Sequence, residues 1–183
     1  MRLFTAVDIP RETIHALDGL IARLKPSARI KWIPATNLHI TTKFIGEWPD
    51  QRLPELTEAL RPLAARQTIP IEVRGLGFFP NARAPRVFWA GVEAPASLAE
   101  LARETDRAVN RLGVPLEARP FSPHLTLARI KEPVPLGRLH EAIAALASTE
   151  FGAFTADRFY LYQSTLNPSG SVYTRLAEFS FQP

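Results

Sequence analysis

Hydrophobic and polar positions along this chain switch repeatedly between a period of two and a period near 3.6. Residues 2 to 8 alternate, with Leu3, Thr5 and Val7 on one side and Phe4 and Ala6 on the other, and their β-branched and aromatic content predicts a strand. Pro10 opens a segment in which Ile14, Leu17, Leu20, Ile21 and Leu24 recur at helical spacing, so residues 10 to 25 are expected to form a helix with one buried stripe. Leu53, Leu56, Leu60 and Leu63 mark a second helix. Leu98, Leu101, Thr105, Ala108 and Leu112 mark a third, with Gly113 where a C-terminal cap belongs. Leu139, Ile143 and Leu146 mark a fourth. Strand-like runs lie between them at about 38–45, 69–79, 86–93, 123–130, 154–166 and 171–180, and turns are expected at 80–85 and at the NPSG of 167–170. Strands that follow one another directly, interspersed with helices, predict an α+β fold.

The pattern also occurs twice. His39-Ile40-Thr41 and His124-Leu125-Thr126 stand 85 positions apart, in HITTKFIG and HLTLARI, and each is followed by a helix. At about the same offset VRGLGFF corresponds to RFYLYQS, and RVFWAGV to SVYTRLA. Motif strand, helix, strand, turn and strand thus recur, which points to two similar lobes related by a pseudo-two-fold axis, with the motif strands facing each other across a groove.

Composition narrows the class. A chain of 183 residues, 46% hydrophobic and 22% charged, is expected to fold along its whole length as one domain, a length that two small lobes packed together would fit equally well. There is no cysteine, which excludes disulfides and thiolate chemistry and fits a reducing compartment. The apolar run in MRLFTAVDIP is too short for a membrane span or a signal-peptide core, so a soluble, cytoplasmic monomer is expected. A net charge of +4 and a pI near 9.8 permit a polyanionic partner without a dense basic tract that would demand one. No glycine-rich phosphate loop and no H-E-x-x-H spacing occurs, so nucleotide-loop and zinc-hydrolase readings are weak. No nucleophile elbow surrounds Ser122.

In a strand, residues i and i+2 share a face, so His39 and Thr41 point together, as do His124 and Thr126, with Cα atoms roughly 6.6 Å apart in each pair. Imidazole exchanges a proton near neutral pH, and a hydroxyl can donate to a phosphoryl oxygen. Two copies supply a proton acceptor and a proton donor for phosphoryl transfer, with the threonines orienting the group between them and no metal or cofactor required. A single H-x-T is more often an ordinary half-buried histidine. The chain has four histidines, and two of them share the motif at equivalent places.

HIT and HLT, the opening RLFTAVDIP, the run HITTKFIG, the strand RVFWAGV, the stretch FSPHLTLARI and the closing YQSTLNPSGSVYTRL together resemble, over essentially the whole chain, the 2H phosphoesterase superfamily. The similarity is closest to its RNA 2',3'-cyclic phosphodiesterases, also described as 2'-5' RNA ligases. That resemblance implies a bilobal fold in which two antiparallel sheets line a central cleft with helices outside. It implies as partner an RNA, tRNA fragments included, ending in a 2',3'-cyclic phosphate that is opened to a 2'-phosphate. It also implies His39 as the acid toward the 3' oxygen and His124 as the base toward water; chemistry alone leaves those roles interchangeable, and ligation to a 5'-hydroxyl would exchange them. Alternatives within reach are a related enzyme of small cyclic or 2'-5'-linked nucleotides and a non-catalytic module that binds RNA ends.

Thr41 and Thr126 would hold nonbridging oxygens. Arg129 matches the family's basic position after the second motif, but simple alternation points it away from His124, so it needs a bulge to enter the cleft. Alternation puts Lys43 on the face of His39, a candidate phosphate contact, and Thr42 on the opposite face. Phe121, beside the second motif, is a candidate base-stacking residue. Of the other aromatics that could stack, Phe78, Phe88 and Trp89 read as core and Phe79 stays open. His15 and His140 read as helix histidines.

Overall fold

The computed structural model describes all 183 residues. Nine strands and four α-helices follow in the order β1 (Arg2–Val7), α1 (Arg11–Leu24), β2 (Lys31–Trp32), β3 (Ile40–Glu47), α2 (Leu53–Leu60), β4 (Ile69–Phe79), β5 (Val87–Glu93), α3 (Ala96–Asn110), β6 (His124–Arg129), α4 (Gly137–Ala144), β7 (Glu150–Ala156), β8 (Arg158–Asn167) and β9 (Gly170–Ser180). They form two sheets, β3-β1-β8-β9 and β2-β6-β5-β4-β7, with every pairing antiparallel. This is the α+β architecture read from the periodicity.

The helices arise where the apolar stripes are. In α1 the stripe buries Leu17, Leu20, Ile21 and Leu24. In α3 it buries Leu98, Leu101, Ala102, Thr105, Ala108 and Val109, and the Thr105 hydroxyl donates to the Leu101 carbonyl at 2.7 Å, so the one polar group there is satisfied. Gly113 takes φ +103° after α3, the left-handed conformation in which a side chain is strained. The β4–β5 turn is held by the Asn81 side chain, whose Oδ1 accepts from the Arg83 and Ala84 amides.

Two features depart from the sequence pattern. Residues 154–166 read as one strand, but the chain makes two, β7 in the second sheet and β8 in the first, and Asp157 alone carries it across. The two-residue β2 adds an edge to the second sheet that no periodicity could announce.

The internal duplication is real but exchanged. Each motif strand has an inner neighbour, β1 beside β3 and β5 beside β6, followed by β8 and β4 respectively. β4 therefore leaves the first half of the chain to complete the sheet of the second, and β8 returns the exchange. The offset that matched SVYTRLA to RVFWAGV follows chain order, not space: β9 is an outer strand, and the counterpart of β5 is β1. Helices cross as well, since α1 packs on β7 of the second sheet and α3 on β3 of the first. One core of 35 buried residues draws on both sheets and all four helices, with Leu17, Leu56, Leu101 and Leu139 at zero exposure. Burial of side chains of this size contributes roughly 1.5–3 kcal/mol each.

Candidate functional site

β3 and β6, the strands that carry the two motifs, come into contact where the two sheets meet. A turn at Ala35–Asn37, entered from Pro34, delivers His39 at the start of β3, and the Asn37 side chain ties that turn to the Ser171 carbonyl of β9 at 2.9 Å. His124 opens β6 after the Ser122-Pro123 connection. In both, ring Nδ1 lies against the carbonyl two residues earlier: 3.1 Å to Asn37 for His39 and 2.8 Å to Ser122 for His124. A carbonyl only accepts, so each Nδ1 carries the hydrogen and donates it. Both Nε2 atoms are left to take or give a proton.

A bulge sits at the same place in each motif strand and decides what shares the histidine's face. Along β3, Thr41 pairs with Ala6 and Lys43 with Thr5, so Thr42 is the extra residue; along β6, Thr126 pairs with Trp89 and Ala128 with Phe88, so Leu127 is. Beyond the bulge the alternation is inverted. Arg129 returns to the face of His124 and Thr126, which meets the condition for its entry, and it is exposed. Lys43 goes the other way. Its ammonium is buried beneath the sheet at 2.9 Å from both Asp106 of α3 and Glu117, and also donates to the Pro115 carbonyl at 3.0 Å. Burial pushes its pKa down, but the bonds to Asp106 and Glu117 outweigh this and hold it above the ordinary lysine value. Lys43 is therefore a structural cation rather than a phosphate contact, and the face inferred for it by simple alternation is corrected by the bulge. Thr42, opposite His39 as read, exchanges a 2.7 Å hydrogen bond with Thr5.

Phe121 is half-buried against the main core, and the ring that meets His124 edge-on, with centroids 5.1 Å apart, is Phe79. Phe78 stacks on Phe88 toward the core. His15 and His140 are exposed on α1 and α4.

Around His39 stands a cluster that the sequence reading did not single out. Its Nε2 is 3.6 Å from Asp8 Oδ1, and the side chain is only 12% exposed. Tyr162 donates its hydroxyl to Asp8 at 2.6 Å. Arg175 pairs with Asp8, donates to the Tyr162 hydroxyl at 3.1 Å and lies 4.5 Å over the Tyr160 ring. Tyr162 and Tyr173 approach the imidazole at 4.6 and 5.5 Å, and Phe4 stacks on Tyr162. Burial lowers the His39 pKa; Asp8 and the Asn37 carbonyl raise it, Arg175 lowers it further, and the net direction is down. Burial, helped by Asp8 and opposed by Arg175, pushes the Tyr162 hydroxyl well above its usual range, so it stays a hydrogen-bond donor. Pairing along the inner strands makes Gly91 the counterpart of Asp8 and Phe79 the counterpart of Tyr162.

The chain matches the model of the 2'-5' RNA ligase superfamily over residues 10–168. The chain belongs to this family. It is 34% identical over 181 residues to the RNA 2',3'-cyclic phosphodiesterase of Methanothermobacter thermautotrophicus, covering 98% of both chains. Among solved structures, TT0787 of Thermus thermophilus superposes with a TM-score of 0.82 at 35% identity, over 99% of this chain and 98% of that one. LigT of E. coli, complexed with 3'-AMP, gives a TM-score of 0.76 at 28% identity, over 100% and 98%. Membership of the 2'-5' RNA ligase family agrees with the bilobal two-sheet fold and with the placement of the two H-x-T strands. No helix is long and apolar enough to cross a membrane.

Proposed function

We propose that this protein hydrolyses the 2',3'-cyclic phosphate at the end of an RNA to a 2'-phosphate, with His39 and His124 as its acid and base. The observation that carries the reading is the pair of imidazoles at the heads of two contacting strands, both with Nδ1–H fixed on a carbonyl, Nε2 of His39 lying 3.6 Å from Asp8 and Nε2 of His124 without a protein partner. The names of the relatives supply the substrate class.

Water attacks phosphorus as His124 Nε2 takes its proton. The bond from phosphorus to O3' breaks, and His39 Nε2–H gives its proton to O3'. The products are a 2'-phosphate and a 3'-hydroxyl, and solvent returns both imidazoles to their starting states. Each positioned proton transfer is worth about 10²- to 10⁴-fold. Thr41 and Thr126 donate to nonbridging oxygens, and Arg129 adds a planar cation beside them. The anionic phosphate, arriving next to Asp8, favours the protonated form of His39 against its burial. Running the transfer with an RNA 5'-hydroxyl in place of water, in reverse or forward, accounts for the ligase name of the family. We place the protein in the cytoplasm as a monomer, with cleaved tRNA as one source of such ends; the absence of cysteine fits that compartment.

The test is end-group analysis of a cyclic-ended oligoribonucleotide incubated with the protein and a chelator. A 2'-phosphate product is expected. A 3'-phosphate would reverse the leaving oxygen, and an unopened ring would sink the assignment.

A further inference from the structure

The free edge of the second sheet carries a charge arrangement that the acid–base pair does not explain. Lys31 of β2 and Arg129 of β6 are direct cross-strand partners. Directly opposed residues project from the same face with Cβ atoms about 4.5–5.5 Å apart, and like charges in that relation are destabilising. No carboxylate relieves them: none of the protein's ion pairs involves either residue. Both are exposed, and the bulge at Leu127 sets their row on the face of Thr126 and His124.

The surrounding chain keeps acids away. Segments 25–46, 75–92 and 118–131 contribute β2, β6 and all of β3 and β5 but their final glutamates, Glu47 and Glu93, and they contain no aspartate or glutamate. Arg29, Lys31, Arg83, Arg86, Arg129 and Lys131 all lie on them. Arg86 is tied to the same edge, since its carbonyl accepts from the Ile130 amide at 2.9 Å and its guanidinium reaches the Lys131 carbonyl at 3.4 Å. A modest net charge of +4 thus conceals a local excess of cations, Lys31, Arg86 and Arg129, at the edge that carries the second motif.

We propose that Lys31, beside Arg129, binds a backbone phosphate upstream of the cyclic end, so that the β2–β6 edge is the track on which the body of the RNA leaves the cleft. The proposal rests on the reading of the cleft as a site for RNA ends. A phosphate held at Lys31 offsets the repulsion between the two side chains, with the Lys31 ammonium serving as a mobile point charge while Arg129 stays with the cyclic end. Phosphate contacts carry no base information, so this track holds RNA of any sequence.

Lys31→Ala and Lys31→Glu test it on two substrates, a cyclic-ended oligoribonucleotide and the free 2',3'-cyclic mononucleotide. On the oligonucleotide Lys31→Ala is expected to lower kcat/KM about three- to tenfold through KM, and Lys31→Glu more, with a salt slope shallower by about 0.7 for one lost contact to a single strand. Turnover of the mononucleotide is expected to be unchanged, and the melting temperature equal or higher, because a repulsive pair is removed. Equal losses on both substrates, or none on the oligonucleotide, would overturn the proposal. Binding of a 2'-phosphate-ended oligonucleotide, followed by fluorescence anisotropy, reads the same contact without turnover. An inactive protein whose oligonucleotide affinity still falls in Lys31→Glu would refute the catalytic reading and keep the track; an active one whose affinity is unmoved would do the reverse.

Discussion

The two halves of the cleft share one backbone and differ in what surrounds the imidazole. His39 is buried among Tyr162, Tyr173 and Phe4, with Asp8 at its Nε2 and Arg175 behind Asp8. His124 has the Ser122 carbonyl, the edge of Phe79, and glycine where the first half has its carboxylate. Beyond the bulge the contrast inverts, since the first half carries Phe44, 60% exposed, where the second carries Arg129. Charge that acts on the imidazole is gathered at one histidine, and the exposed cation beyond the bulge stands on the strand of the other. Gly91 could not simply acquire the missing acid, because a Cβ there would stand 2.4 Å from the Arg74 carbonyl. A repeated backbone thus supplies position, and unequal neighbours divide the labour.

The strongest way to break this comparison is to remove each imidazole in turn. His39→Ala and His124→Ala are each expected to slow single-turnover opening of the cyclic end by about 10²- to 10⁴-fold with the circular dichroism spectrum unchanged. Full rate in either variant would remove that half from the chemistry. Next come the hydroxyls: Thr41→Val and Thr126→Val each lose a hydrogen bond to a charged oxygen, worth about 1.5–3 kcal/mol, or roughly ten- to a hundredfold in kcat/KM.

Asp8→Asn sharpens the comparison by taking away what only the first half has. Asp8 raises the His39 pKa, so its neutral replacement lowers a value that burial has already placed below 6.5. If His39 is the acid, the falling limb of the kcat/KM profile moves to lower pH and the rate at neutral pH drops by about the same factor. If His39 is the base, the rising limb moves instead and the neutral rate is preserved. The smallest catalytic effect is expected at Lys43. Lys43→Ala leaves Asp106 and Glu117 without their shared cation and is expected to cost about 1–3 kcal/mol in denaturant unfolding, with kcat of the folded protein unaltered.

The alternating and helical periods located every strand but β2 and the separate β7, which was merged with β8, and every helix to within a few residues, because each element owes its existence to a buried face that the residue types reveal. Topology was half legible. A repeat offset detects similar segments in chain order, and the exchange of β4 and β8 between sheets leaves no mark on it. The motif pair was readable because strand alternation is local. Lys43 was misplaced by the same rule, since the bulge at Thr42 depends on pairing with β1 rather than on β3 alone. Asp8, Tyr162 and Arg175 come from three separate stretches of chain that meet only in the folded sheet, and their link to His39 has no spacing to betray it.

The exchanged strands also bear on how the asymmetry became possible. Half of this chain on its own would complete its sheet only by trading strands with a second copy, and a symmetric dimer of that kind must present identical residues on both walls of its groove. Any acid beside one histidine would then stand beside the other. Housing both copies in one polypeptide lifts that constraint, and Asp8 facing Gly91 across the pseudo-dyad is the freedom it grants.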